Sequence, residues 1–163
     1  MEFTFSNLSL LTTTLLVGLT AGLCFTWGNA VTPGIGQLED LGYLNAFQKM
    51  NRSIENPLFF AVFFGAFFMG IAALFSNWCV SPEHFRLMAI ALGFYFFGVV
   101  VITVFGNVPL NQVLDKTDLA HSSIEELSAL RKRFEQPWNR FHFIRILAAM
   151  VSFTLLVIAA LNK

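Results

Sequence analysis

The sequence predicts an all-α, integral membrane four-helix bundle with amphipathic helices in two long loops on one face of the membrane. Hydrophobic residues make up 56% of the chain and charged residues only 12%, which is about half the charge of a soluble domain. The short alternating strands of a membrane β-barrel are missing from the sequence. Apolar stretches of about 20 residues, enough to cross roughly 30 Å of hydrocarbon, occupy residues 8–27, 57–75, 85–105 and 141–161. We interpret residues 1–163 as one membrane domain.

The four stretches are suited to lipid because they contain no Asp, Glu or Lys. Arg86, His142 and Arg145 lie close to span ends, where a side chain reaches the headgroups or a polar cavity. The first stretch resembles a secretory signal peptide in one respect, a passable cleavage site at residues 28–30. No Lys or Arg precedes it and its apolar run is long. We therefore predict a membrane-spanning helix there.

Basic residues indicate the orientation of the chain. Most Lys and Arg residues lie in the loops between spans one and two and between spans three and four. The positive-inside rule places both long loops in the cytoplasm and both termini outside. We expect the protein in the cytoplasmic (inner) membrane if the cell is bacterial. Cys24 and Cys79 then lie near opposite faces, too far apart for a disulfide. Zero formal net charge argues against a nucleic-acid partner.

The loop at residues 28–56 contains a predicted amphipathic helix that lies along the interface or folds over the mouth of the bundle. Asn56 and Pro57 then favour the start of a helix at the second span. The apolar residues recur mostly every third position, which places them on one helix face. They are Leu38, Leu41, Leu44, Phe47, Met50 and Ile54.

The loop at residues 106–140 contains a second predicted amphipathic helix. Ser122 or Ser123, followed by Glu125 and Glu126, is typical of a capping box, and Pro137 predicts the end of this helix before span four. Its predicted apolar stripe consists of Ile124, Leu127, Leu130 and Phe134.

Polar and aromatic residues gather at the loop ends of the spans. Amides, guanidinium groups and an imidazole are costly to bury in lipid unless they bind one another or a ligand. We expect Asn107 and Asn111 to accept hydrogen bonds from Arg145 in a shared cavity. Each residue also has a structural interpretation, since Arg and Trp anchor span ends and Asn caps helices. The candidate site residues are Trp27, Asn51, Arg52, Asn107, Asn111, Trp138, Arg140, His142 and Arg145.

His142 is the one histidine on a predicted membrane face at the loop end, and no second His or carboxylate stands at metal-ligand spacing from it. A metal site is therefore not predicted, although a single haem ligand remains open. The chain has 20 Phe residues, concentrated in spans two and three. Most are expected to pack or face lipid, and the alternative is a flat aromatic pocket for a polycyclic or quinone-like ligand.

Three sequence blocks resemble the signature blocks of the anthrone-oxygenase-like family, a group of small four-helix membrane proteins. A further similarity lies at residues 22–33, which read GLCFTWGNAVTP. One difference is His142, where the family pattern leads us to expect Asn. The blocks are MNRSIENPLF at residues 50–59, FGNVPLN at 105–111 and WNRFHFIR at 138–145.

The resemblance implies O₂-dependent oxidation of an anthrone to an anthraquinone, without metal, flavin or other cofactor, on a hydrophobic small molecule that arrives from the bilayer. Arg52 or Arg145 would stabilise the substrate anion and the developing peroxide. His142, where this chain differs from the family pattern, would on chemical grounds be the base. The implied substrate contacts are Asn51, Asn107, Asn111, Trp138 and Arg140, with Trp27 beside them.

Two other functions stay open at this point. The chain is alternatively a non-enzymatic binding or partner module whose polar cluster joins helices, or, third, a haem or quinone redox protein. The oligomeric state does not follow from the sequence.

Overall fold

The first membrane-spanning helix shows how far the helical structure extends beyond the apolar residues. The structure, a computed structural model, describes residues 4–162. Helix α1 (Phe5–Thr26) runs through a π-helical segment π1 (Trp27–Val31) into a short helix α2 (Thr32–Ile35). The sequence predicted a loop from residue 28, which is wrong. The wider π turn, closed by the Thr32 N–H on the Trp27 carbonyl, carries the helix past that point.

The second span begins as the sequence predicts. Helix α3 (Asp40–Ile54) fills most of the first loop, and helix α4 (Pro57–Ser76) crosses the membrane. The Phe59 N–H donates to the Asn56 side chain at 3.0 Å, which caps the start of α4.

The third span is longer than its apolar stretch and contains most of the π-helical residues. Helix α5 (Pro82–Gly93) leads into π2 (Phe94–Val101), π3 (Thr103–Asn107) and helix α6 (Val108–Lys116). Together they form one helical run of 35 residues. The start of the second long loop is therefore helical as well.

Helix α7 (Ile124–Leu161) is a single helix of 38 residues, about 57 Å long at 1.5 Å per residue. Ser123 and Glu126 form the predicted capping box. The predicted helix end at Pro137 is wrong, because the helix continues through this residue. The turns on both sides are held by packing against other helices, which outweighs the local cost of proline. α7 thus spans the membrane and projects well beyond it.

The described residues contain four helical runs long and apolar enough to cross a membrane, so the predicted integral membrane helical bundle is confirmed. Helix α1 packs against α4 and α7, and α7 also packs against α5 and π2. Small residues permit close contact: an added Cβ at Gly98 would collide with the Ala148 side chain. The bundle core includes Val17, Ala21, Phe63, Ala66, Tyr95 and Ala149.

A second core forms outside the bundle, where α3, α6 and the first half of α7 pack together. We call this part the cap. Leu44 and Phe47 are buried in it as predicted, but Leu38, Leu41 and Ile124 are exposed, so the predicted stripes are rotated or too long. The buried cap residues are Tyr43, Leu44, Phe47, Leu114, Leu119, Leu127, Leu130, Phe134 and Trp138.

Both cysteines are free thiols: Cys24 is buried and Cys79 is exposed, between α4 and α5. We predict that a membrane-impermeant maleimide labels Cys79 on intact cells. A cysteine introduced at Ser122, in the loop before α7, should react only after permeabilisation. Labelling of both positions from the same side would contradict the four-crossing topology. The two end residues Met1 and Lys163, predicted to share the outer face, lie outside the described residues.

Candidate active site

Arg145 is the central cation of the site. Its Nη1 donates to Thr103 Oγ1 at 3.1 Å and its Nη2 to His142 Nδ1 at 2.6 Å, while its Nε is buried without an acceptor. The guanidinium carbon lies 5.4 Å from the centre of the Trp138 ring. None of the ion pairs among residues 4–162 includes Arg145. The site therefore holds a positive charge without a carboxylate partner.

His142 is fixed in one tautomer by its neighbours. Its Nε2 lies 3.0 Å from the Cys24 carbonyl oxygen, so Nε2 carries the hydrogen and donates. Its Nδ1 accepts from Arg145 and is therefore unprotonated. The ring is 4% exposed and connects α7 to α1. In this arrangement the basic lone pair of His142 is occupied by a cation.

Trp138 joins the two asparagines to the cluster. Its ring stacks on His142 with centroids 4.8 Å apart, as expected for residues one turn apart on α7. Its Nε1 donates to Asn111 Oδ1 at 2.7 Å, and its backbone carbonyl accepts from Asn107 Nδ2 at 3.2 Å. Asn107 Oδ1 is buried without a donor and remains free to accept a hydrogen bond.

The acceptors of Arg145 differ from the predicted ones. Asn107 and Asn111 bind Trp138 instead, because they lie at the depth of Trp138, while Thr103 is one turn further into the membrane. His142 is reached because helical side chains lean towards the helix N-terminus. Thr103 gave no signal in the sequence, since a lone threonine in an apolar span is ordinary.

Trp27 connects the site to the cap. Its ring lies 6.4 Å from Trp138 and 6.2 Å from Phe47, measured between centroids. Its Nε1 is buried and has no acceptor. Trp27 is the first residue of π1, at the loop end of the first span as predicted. It therefore lies beside the site.

Arg52 does not join Arg145. Its side chain is 60% exposed and its Nε forms an ion pair with Asp115 at 2.5 Å, which fastens α3 to α6. Asn51 is 6% exposed, and its Nδ2 has no acceptor. Together with Asn111 these residues line a small pocket of about 180 Å³ at the cap. The structure thus connects the α3 residues to the cluster through Asn111, which also binds Trp138.

Arg140 is also apart from the cluster, since it is exposed and lines an open depression on the outer side of α7. Among residues 4–162, no group of three His, Cys, Asp or Glu residues could hold a metal ion. The described site therefore consists of Arg145, His142, Trp138, Asn107, Asn111, Trp27 and Thr103.

Arg131 is a further residue that the sequence did not single out. Its guanidinium binds Glu135 at 2.7 Å, Asp40 at 3.1 Å and the carbonyls of Gly36 and Leu38. It lies over the Tyr43 ring, 4.4 Å from the centroid. Burial, with a smaller contribution from Glu135, raises the pKa of Tyr43 well above its ordinary value. Through its bonds to Gly36, Leu38 and Asp40, Arg131 holds the segment between α2 and α3 against α7.

This fold and site define a membrane-spanning helical bundle with an uncompensated cation, aromatic rings and amides at one end. The family profile described as anthrone oxygenase matches residues 57–155, which is more than half of the chain. The chain belongs to the anthrone oxygenase family, as the three sequence blocks indicated. No curated protein and no solved structure gives a match.

Proposed function

We propose that the chain oxidises a hydrophobic aromatic of the anthrone class with O₂, and that the reaction takes place at Arg145. The observation that carries this proposal is the guanidinium without a carboxylate partner, with a buried Nε that lacks an acceptor. A cation within a membrane span is costly unless an anion or dipoles compensate it. An anthrone that has lost its methylene proton supplies this anion, because its charge is delocalised onto the ketone oxygen.

The proton from the substrate goes to His142 Nδ1. As the substrate oxygen becomes negative, the Nη2 hydrogen bond of Arg145 moves from His142 to that oxygen, which frees the Nδ1 lone pair. The charged imidazole would repel Arg145 in isolation, but the substrate anion lies against both cations and compensates them. Asn107 Oδ1, buried without a donor, accepts from a substrate hydroxyl.

The oxidation then needs no further electron acceptor than O₂. The carbanion transfers electrons to O₂ and forms a C–O bond at the former methylene carbon. The peroxide anion takes the proton back from His142, and the hydroperoxide breaks at the O–O bond while the remaining hydrogen on that carbon leaves as a proton. Anthrone and O₂ thus give anthraquinone and water. Arg145 stabilises the negative charge throughout.

A second candidate function is a non-enzymatic membrane module. The observation that favours it is that the same groups join separate spans: His142 binds the Cys24 carbonyl, Arg145 binds Thr103, and Trp138 binds Asn111. In this case the cluster serves to hold helices together and to bind a partner or small molecule without reaction.

The direct test is oxygen uptake by the purified protein in phosphatidylcholine vesicles after addition of anthrone. We expect one O₂ consumed per anthraquinone formed, at a rate well above that of protein-free vesicles. Uptake equal to that of the empty vesicles, with anthrone still bound, would exclude the oxygenase and leave the binding module.

A further inference from the structure

A lipid-facing groove runs along α7, away from the cluster around Arg145. Its apolar part lies between the third span and α7 and has a volume of about 630 Å³. The side chains of Phe94, Phe97, Leu147 and Val151 form its walls, and all four are substantially exposed. Gly93 leaves the third span without a side chain at this level, where an added Cβ would meet nothing within 4 Å. We call this depression, together with the polar depression that continues it towards the cap, the α7 groove.

The α7 groove changes character towards the cap. Ile144 lines both the apolar part and a second open depression of about 820 Å³, whose other residues include Lys132, Glu135, Asn139 and Arg140. From Arg140 to Val151 the helix rises about 17 Å at 1.5 Å per residue. One leaflet contributes about 15 Å of hydrocarbon. The groove therefore has the length of one acyl leaflet, with cations at its headgroup end.

The polar end of the groove favours an anion. Arg140 and Lys132 take part in none of the ion pairs among residues 4–162. The one carboxylate in this end, Glu135, is already bound by Arg131 at 2.7 Å. Asn139 lines this end, and its buried Oδ1 has no donor, so it can accept a hydrogen bond from a hydroxyl group once its side chain turns towards the depression. A phosphate beside a hydroxyl-bearing headgroup satisfies these groups together.

We propose that the α7 groove binds one anionic glycerophospholipid of the phosphatidylglycerol type. One acyl chain lies along Gly93 and Gly98, the phosphate contacts Arg140 and Lys132, and a headgroup hydroxyl donates to Asn139. The proposal is independent of the oxygenase reaction, because none of these residues belongs to the cluster around Arg145. The lipid holds the lipid-exposed side of α7 in place at the level where the helix leaves the membrane.

The test is native mass spectrometry of the detergent-released protein, titrated with phosphatidylglycerol or with phosphatidylcholine of the same acyl chains. We expect one retained phosphatidylglycerol and a preference of roughly tenfold over phosphatidylcholine, because two cations near the headgroup favour a lipid with net negative charge. The double variant Lys132→Gln/Arg140→Gln should bind both lipids equally.

Filling the groove provides a second, independent test. A Cβ at Gly93 meets no atom within 4 Å, and Gly93 lines the apolar part, so the side chain of Gly93→Leu should extend into it. We expect it to weaken both lipids several-fold. The matched control is Gly22→Leu on α1, where an added Cβ also meets nothing within 4 Å but Gly22 does not line the α7 groove.

Three results would overturn the proposal. The first is equal retention of the two lipids by the unmodified protein. The second is identical lipid binding by the Gly93→Leu and Gly22→Leu variants. The third is one-for-one displacement of phosphatidylglycerol by anthrone, which would assign the α7 groove to the aromatic substrate instead.

Discussion

Replacing Arg145 by alanine is expected to lower the rate of anthrone oxidation by about 100- to 1,000-fold, the loss typical of removing a preorganised donor to a developing oxyanion. The protein should remain folded, because the variant loses hydrogen bonds to Thr103 and His142 but also removes a charge that is costly within a membrane span. The measurement is oxygen uptake in vesicles, with thermal unfolding of the same samples recorded in parallel.

Arg145→Lys separates the chemical role from simple charge. A lysine keeps the positive charge but lacks the planar fork that binds two acceptors at once, so we expect poor recovery of activity. The control is Arg133→Ala on the same helix, because Arg133 is exposed and its Nε contacts only the Ala129 carbonyl. Full activity in Arg145→Ala would contradict the proposed reaction. Lost activity together with a large fall in melting temperature would favour the structural module.

The largest loss of stability is expected for Phe47→Ala. Phe47 is fully buried in the cap, and its ring lies 4.7 Å from both Phe134 and Trp138 between centroids. Deleting a buried aromatic side chain costs about 3–5 kcal/mol. The free energy of opening the cap should fall by this amount, measured from the rate of proteolysis within α3 under native conditions.

Leu41→Ala is the matched control for the cap. Leu41 lies on the same helix but is 44% exposed, so we expect a change within about 0.5 kcal/mol. Equal sensitivity of the two variants to protease would show that α3 does not pack on α7. Phe47→Ala should also slow anthrone oxidation, since Trp138 loses a ring that holds it beside His142.

The four spans were predictable because only long apolar helices cross a bilayer, and such stretches are visible directly in the sequence. The ends of the helices were not, because they depend on packing. Pro137 marks a local break, but contacts of α7 with the cap on one side and the third span on the other keep the helix continuous. The rotated face of α3 has a similar cause: Tyr43, absent from the predicted stripe, is buried under Arg131.

The site residues of α7 were predictable from spacing alone, since Trp138, His142 and Arg145 share a helix face. Their partners were not. Arg52 stands in a sequence block with Asn51, yet it turns outward to Asp115, because the pairing is decided by the position of α6. Thr103 accepts a hydrogen bond from Arg145 because the third span and α7 place the two residues at the same depth in the bundle. No sequence pattern indicates this relative depth. The catalytic and substrate-binding roles of all these residues remain predictions.

The π-helical segments give the third span a residue to spare. Each π turn accommodates more residues than an α turn, so deleting Val104 from π3 (Thr103–Asn107) would convert this segment to ordinary helix while the helix on either side keeps its orientation. Asn107 and Asn111 would then still face Trp138. The same deletion in the all-α helix α4 (Pro57–Ser76) would rotate every later position by about 100°. A single-codon deletion in π3 is thus expected to leave the protein working, whereas one in the middle of α4 should disable it.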